Sequence, residues 1–182
     1  MKRFTFLPRV ILGLLLFATG GGVSLATDVT VTNTVNGTTY TFKITSTKDK
    51  TANVSLSKIG GTDLASYKGK DLNLADTYSD GTYTSGDTTY TITSMDAMKG
   101  NTTIKTVEMP STVTSLPWNC FDGCTSLTTV NFPGITSLPK YCFQNCTALE
   151  TFSFQGINSI GDNAFQKCSK LTKVSHLQTI RT

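Results

Sequence analysis

A single histidine, His176, stands in 182 residues, and most imidazole chemistry is excluded with it. A cysteine or serine nucleophile activated by histidine needs its base within hydrogen-bond reach and an oxyanion site beside both. His176 instead falls where other copies of a repeat carry a core phenylalanine. The 12 acidic residues are dispersed. Asp122 and Asp162 lie in turns with no second carboxylate placed beside them, and Asp76, Asp80 and Asp87 lack the fixed spacing of an EF-hand calcium loop. No catalytic residue, metal site or cofactor is assigned. Cysteine is absent before Cys120, which closes the lipoprotein route, because a lipid-bearing cysteine stands at the cleavage point. Basic blocks are absent too, and nucleic acid is not an expected partner.

Long apolar runs are almost as scarce. The one candidate, residues 10–18, follows Lys2, Arg3 and Arg9 and precedes Gly20-Gly21-Gly22. Nine apolar residues are short of the roughly 20 that cross a bilayer core. With Ser24-Leu25-Ala26 behind them they read as a signal peptide, residues 1–26, cleaved after Ala26. The expected location is secreted or at the cell surface, with no membrane insertion after cleavage. Without the three basic residues of the leader, 13 Lys and Arg face 12 Asp and Glu, a net charge of +1.

What the sequence does have is repetition. Residues 113–134, 135–156 and 157–176 align at a period of 22. Val113, Ile135 and Ile157 share a position, as do Leu116, Leu138 and Ile160; Phe121, Phe143 and Phe165; Cys124, Cys146 and Cys168; and Leu127, Leu149 and Leu171. Residues 92–112 form a degenerate first copy, with Ile92, Met95, Met98, Asn101, Ile104, Val107 and Met109 at corresponding places. Residues 177–182 begin a partial fifth. A period of 20 to 29 residues marks a short solenoid whose coils bury their apolar faces only on one another.

Residues 27–91 read as a β-rich N-terminal cap. Asn36-Gly37 between alternating segments predicts a hairpin over residues 29–45. Short strands are expected at Val54 and Leu56, at Leu72 and Leu74, and at Tyr90 and Ile92, with one helical turn at residues 64–67. The solenoid follows over residues 92–182. The expected fold is thus a β-rich solenoid of the short leucine-rich-repeat kind, with coils of about 22 residues and a parallel sheet.

Within a coil, Leu127, Val130 and Phe132 set a strand whose apolar residues point inward. The residues between them form an outward row: Thr106, Glu108, Thr129, Asn131, Thr151, Ser153, Lys173 and Ser175. This row is the candidate binding face. Trp118, Lys140 and Asp162 share a variable, exposed position in the returning half of the coil. Cys120-x3-Cys124 and Cys142-x3-Cys146 approach zinc-ribbon spacing, yet the interval between the pairs is the repeat period itself, and the third copy has Ala164 in place of one cysteine. The cysteines therefore read as small core fillers with free thiols.

The stretch Ile157-Asn-Ser-Ile160-Gly161-Asp-Asn-Ala164-Phe165-Gln-Lys-Cys168-Ser-Lys-Leu171-Thr-Lys-Val174 resembles the coil of the BspA-like leucine-rich repeat proteins. The likeness extends over residues 92–180, and across residues 36–94 the chain is similar to the short β segment that often precedes such repeats. The resemblance implies secretion or surface display and adhesion to a host or microbial protein or glycan. It supplies no family-wide binding residues. The expected function is a non-catalytic binding module, with an extracellular protein or glycan as partner. The alternative is a structural protein that stacks end to end, with weak self-association through its open C-terminal coil.

Overall fold

The computed structural model describes residues 30–48, 50–153 and 156–175. The expected signal peptide at residues 1–26, Phe154, His176 and the expected partial coil at residues 177–182 lie outside the described residues. The fold is strand-rich and nearly free of helix.

The N-terminal part is a mixed sheet. Strands β1 (Thr30–Val35) and β2 (Thr38–Lys48) form the expected hairpin, with Asn36 at φ 49° and Gly37 at φ 79° in its turn. Positive φ at both central residues gives the turn a twist that matches the flanking strands. β2 pairs antiparallel with β3 (Thr51–Ile59), and the two-residue β4 (Thr62–Asp63) folds back on β3. A 3-10 turn at Leu64–Ser66 leads to β5 (Asp71–Asn73), which passes directly into the single helical turn α1 (Leu74–Thr77). Asn73 caps that turn by accepting from the Asp76 N–H at 2.9 Å. Leu74, expected at the end of a strand, is instead its first helical residue. β6 (Thr82–Ser85) and β7 (Thr88–Met95) close a second hairpin, and β7 lies parallel to β3. The sheet order is β1-β2-β3-β7-β6. Its inner side is an aromatic cluster in which Phe42, Tyr78, Tyr83 and Tyr90 pack ring on ring, with Phe42 to Tyr83 at 5.2 Å and Tyr83 to Tyr90 at 5.0 Å.

The remaining strands are short: β8 (Thr106–Glu108), β9 (Thr129–Asn131), β10 (Ser137–Leu138), β11 (Thr151–Ser153), β12 (Ser159–Ile160) and β13 (Lys173–Ser175). All pair in parallel. Val107 faces Val130, Phe152 faces Val174 and Leu138 faces Ile160. β5 adds a rung in front, with Leu72 opposite Val107, so the cap contributes to the ladder of the repeats. The boundary read at residues 91 and 92 falls inside β7.

A third ladder runs through the turns. Phe121 N–H donates to Cys142 O at 2.8 Å, Phe143 N–H to Ala164 O at 2.7 Å, and Met98 N–H to Cys120 O at 2.7 Å. These turn bonds join each copy to the next, which satisfies groups that burial would otherwise orphan, whereas the strand ladder is divided between β5-β8-β9 and β11-β13. Two positions in each of the last three copies adopt the left-handed conformation, Asn119, Tyr141 and Asn163, and then Gly123, Asn145 and Lys167, with Gly100 alone in the first copy. Glycine and asparagine suit that region; tyrosine and lysine occupy it at a cost.

The core is a column of stacked side chains. Phe121 and Phe143 lie 5.3 Å apart at 3°, and Phe143 and Phe165 lie 5.4 Å apart at 10°. Cys120, Cys124, Cys142 and Cys146 are buried beside them, all five thiols are unbridged, and Cys168 is half-buried. The second cysteine of each copy also donates to the preceding copy: Cys124 Sγ to Met98 O at 3.2 Å, Cys146 Sγ to Phe121 O at 3.0 Å, and Cys168 Sγ to Phe143 O at 3.0 Å. These residues are therefore more than fillers, because each satisfies a carbonyl at the turn. Burial pushes the Cys124 thiol up to about 12 and raises the others too. At Asn101, which holds the same position in the first copy, the side chain donates to Leu64 O at 3.0 Å and Tyr67 O at 2.8 Å. Its Oδ1 accepts from the N–H groups of Thr103 and Ile104. An asparagine stands there because it must tie the repeats to the cap.

Candidate binding surface

The short strands carry Thr106, Glu108, Thr129, Asn131 and Thr151 of the expected row, while the side chains of Ser153, Lys173 and Ser175 lie outside what the structure describes. Val107 is fully buried, Val130 is 8% exposed and Phe152 is 5% exposed, so their chain neighbours point outward. Thr129, Asn131 and Thr151 are exposed, whereas Thr106 and Glu108 are half-buried. The difference has a local cause. Thr106 Oγ1 donates to Asp71 Oδ1 at 2.6 Å, and Asn73 Nδ2 donates to Glu108 Oε2 at 3.3 Å. Asp71 and Asn73 on β5 thus extend the row by one rung. The sequence alternation around Leu72 is too short to announce this, since a single buried residue flanked by two polar ones occurs by chance. At the other end, the register sets Lys173 beside Thr151 and Ser175 beside Ser153.

The row is uneven in charge. Asp71 and Glu108 stand at its N-terminal end, Thr129, Asn131 and Thr151 in the middle, and Lys173 on the last described strand. Beside Thr151 the surface dips into an open depression of about 400 Å³ lined by Glu150, Thr151, Ser169, Lys170 and Thr172. Both signs of charge and several hydroxyls meet there, with no deep apolar recess.

A second hydroxyl row escaped the sequence reading. Thr114, Ser115, Thr136, Ser137, Asn158 and Ser159 are all exposed on the face carried by β10 and β12. Ser137 and Ser159 hydrogen-bond through their hydroxyls at 2.6 Å, and Asn158 N–H donates to Thr136 O at 2.7 Å. The signal was present, a Thr-Ser or Asn-Ser pair after the first apolar residue of each copy, but such pairs read as turn residues.

The turn residue Asp122 is structural. Asp122, 9% exposed, accepts from Asn145 Nδ2 at 2.9 Å and pairs with Lys99 Nζ at 3.0 Å, so its carboxylate joins three successive copies. Gln144 and Gln166 hydrogen-bond to each other at the same register.

Residues 82–182 match the model of the BspA type leucine rich repeat region in six copies. The chain belongs to this family. Self-comparison of the sequence counts four copies and a partial fifth from residue 92. Three solved structures share the fold of this BspA-type chain. A leucine-rich repeat protein from Bacteroides ovatus is 23% identical, with a TM-score of 0.52 over 69% of this chain and 31% of that one. One from Bacteroides capillosus is 21% identical, with a TM-score of 0.55 over 79% and 96%. A leucine rich cell surface protein from Faecalibacterium prausnitzii is 20% identical, with a TM-score of 0.53 over 79% and 42%. The BspA-type chain thus spans about a third of the first relative's length and nearly all of the second's. No curated protein matches it by sequence.

Proposed function

We propose that the chain is a non-catalytic binding module, exported or displayed at a cell surface, that recognises an extracellular protein or glycan through the strand face of β8, β9, β11 and β13. In this reading residues 92–182 form one parallel solenoid of coils near 22 residues and residues 27–91 cap its N-terminal end. The observation that carries it is the exposure of Thr129 and Asn131 on β9 and of Thr151 on β11, the last at the edge of the depression that holds Glu150 and Lys170. Short hydroxyl and amide side chains offer donors and acceptors with little entropy to lose on binding. A flat face of this kind binds modestly per site, and repeated display raises its avidity. The family and a solved relative described as a cell surface protein support the location.

The test is binding of the chain lacking residues 1–26 to matrix proteins, mucins and glycans. A variant carrying Thr129→Glu, Thr151→Glu and Lys173→Glu is expected to lose at least tenfold in affinity, the equivalent of about 1.4 kcal/mol. An interaction that this variant leaves unchanged would move the site off the strand face.

A further inference from the structure

We propose that a second surface, the row of Trp118, Lys140 and Asp162, is a stacking platform for a neutral glycan of two or more sugars. The row lies half a coil away from the strands and does not depend on the strand-face reading. Trp118 is 70% exposed, and among the described residues it is the large apolar side chain left in solvent. Lys140 and Asp162 follow it at intervals of 22 residues, and their side chains form an ion pair at 2.6 Å while remaining 50% and 70% exposed. A pair so exposed adds little to stability, but it keeps most of its hydrogen-bonding capacity, spare ammonium donors on one side and carboxylate lone pairs on the other.

The backbone holds the row in place. Asn119 N–H donates to Lys140 O at 3.2 Å and Tyr141 N–H to Asp162 O at 3.0 Å, and each row residue is followed by a left-handed one, Asn119, Tyr141 or Asn163. Rungs joined this way are spaced like strands, at roughly 4.8 Å, close to the length one pyranose occupies in an extended glycan. The electron-rich face of an indole attracts the polarised C–H face of a sugar, while the next sugar's hydroxyls, each both donor and acceptor, meet a carboxylate and an ammonium together. A protein partner fits less well. Aromatic anchors of protein interfaces sit within a contiguous, desolvated apolar core, whereas here the next two positions of the row are charged. A polyanionic glycan would leave Asp162 opposed to like charge.

Trp118 is the chain's one tryptophan, so indole fluorescence reports on it alone. Titration with cellotetraose, chitotetraose and mannotetraose should give a saturable change with at least one of them in the millimolar range. Calorimetry with the same sugar should show Trp118→Ala binding about tenfold or more weakly and Asp162→Asn several-fold more weakly. Circular dichroism and the melting temperature should stay unchanged, because the replaced side chains are exposed. The double variant Thr129→Glu, Thr151→Glu should bind the sugar as the parent chain does. The proposal is overturned if none of the three sugars gives a saturable change, or if Trp118→Ala binds undiminished. It is equally overturned if the strand-face variant loses the sugar, or if Trp118 proves necessary only for a protein partner.

Discussion

Replacing Phe143 by alanine removes the middle of the aromatic column, and its cost can be worked from the packing. The ring is fully buried. It stacks on Phe121 and Phe165 and meets Phe152 at 5.4 Å and Phe132 at 6.4 Å. A buried Phe→Ala change costs about 3–5 kcal/mol, and ring neighbours on both sides, each worth about 0.5–1.5 kcal/mol, place this site at about 4–5. Phe165 belongs to the same row but is half-buried, so the transfer term is smaller and Phe165→Ala should cost about 2 kcal/mol. Phe143→Leu retains most of the apolar volume and should fall between the two. Urea unfolding followed by far-ultraviolet circular dichroism reads the difference. With a slope of about 2 kcal/mol per molar, Phe143→Ala should lower the midpoint by about 2 M and Phe165→Ala by about 1 M. The slope must also be compared, because repeat proteins can lose cooperativity and unfold in parts. Equal costs at the two sites, with equal slopes, would mean that the rings do not form one column, and the packing account would fail.

Other expectations rest on single positions. The thiols ionise far less readily in the folded chain than in the unfolded one, with Cys124 raised from near 9 to about 12. The unfolded state therefore sheds protons first as pH rises, so stability should fall from about pH 8.5 upward, through the range in which unfolded thiols titrate; a melting temperature constant from pH 8 to 11 would refute this. A thiol reagent applied to the native chain should label Cys168 before the four buried cysteines, as peptide mapping would show. Lys167 holds a left-handed backbone at φ 62° where the neighbouring copy has Asn145, so Lys167→Asn should stabilise by about 0.5–1 kcal/mol; a drop in melting temperature would contradict the strain. Asp122→Asn keeps the shape but weakens the bridge between Lys99 and Asn145. It should cost about 1–2 kcal/mol, and the additional effect of Lys99→Ala should be smaller in that background, as a double-mutant cycle would reveal.

Much of the fold was legible because burial is written into the period. Phe121, Phe143 and Phe165 sit at identical offsets, and a residue type that recurs at one offset faces the same side of the coil. The hairpin at Asn36-Gly37 was equally open, since few other residues satisfy positive φ twice in succession. The pairing of β5 with β8 was not legible. It joins Leu72 to Val107 across an irregular stretch, and a three-residue strand leaves no periodicity to detect. The cysteines were placed in the core, but their bonds to Met98, Phe121 and Phe143 carbonyls depend on the turn conformation of the neighbouring copy. The outward placing of Thr129, Asn131 and Thr151 followed from alternation alone. The row's closure at one end by Asp71 and Asn73 did not, because those partners come from the cap. Tyr141 and Lys167 carry no preference for the left-handed region, so that only alignment with Asn119 and Asn145 hints at it.

Hydrogen exchange of the chain with and without a bound extracellular ligand reports which face the ligand covers. Ligand should slow exchange at residues 106–108, 129–131 and 151–153, and in the depression formed by Glu150, Ser169 and Lys170, while the turns after Phe121 and Phe143 exchange as before. Protection confined to the face of Thr114, Thr136 and Asn158, with the strands unchanged, would contradict binding through the strand face.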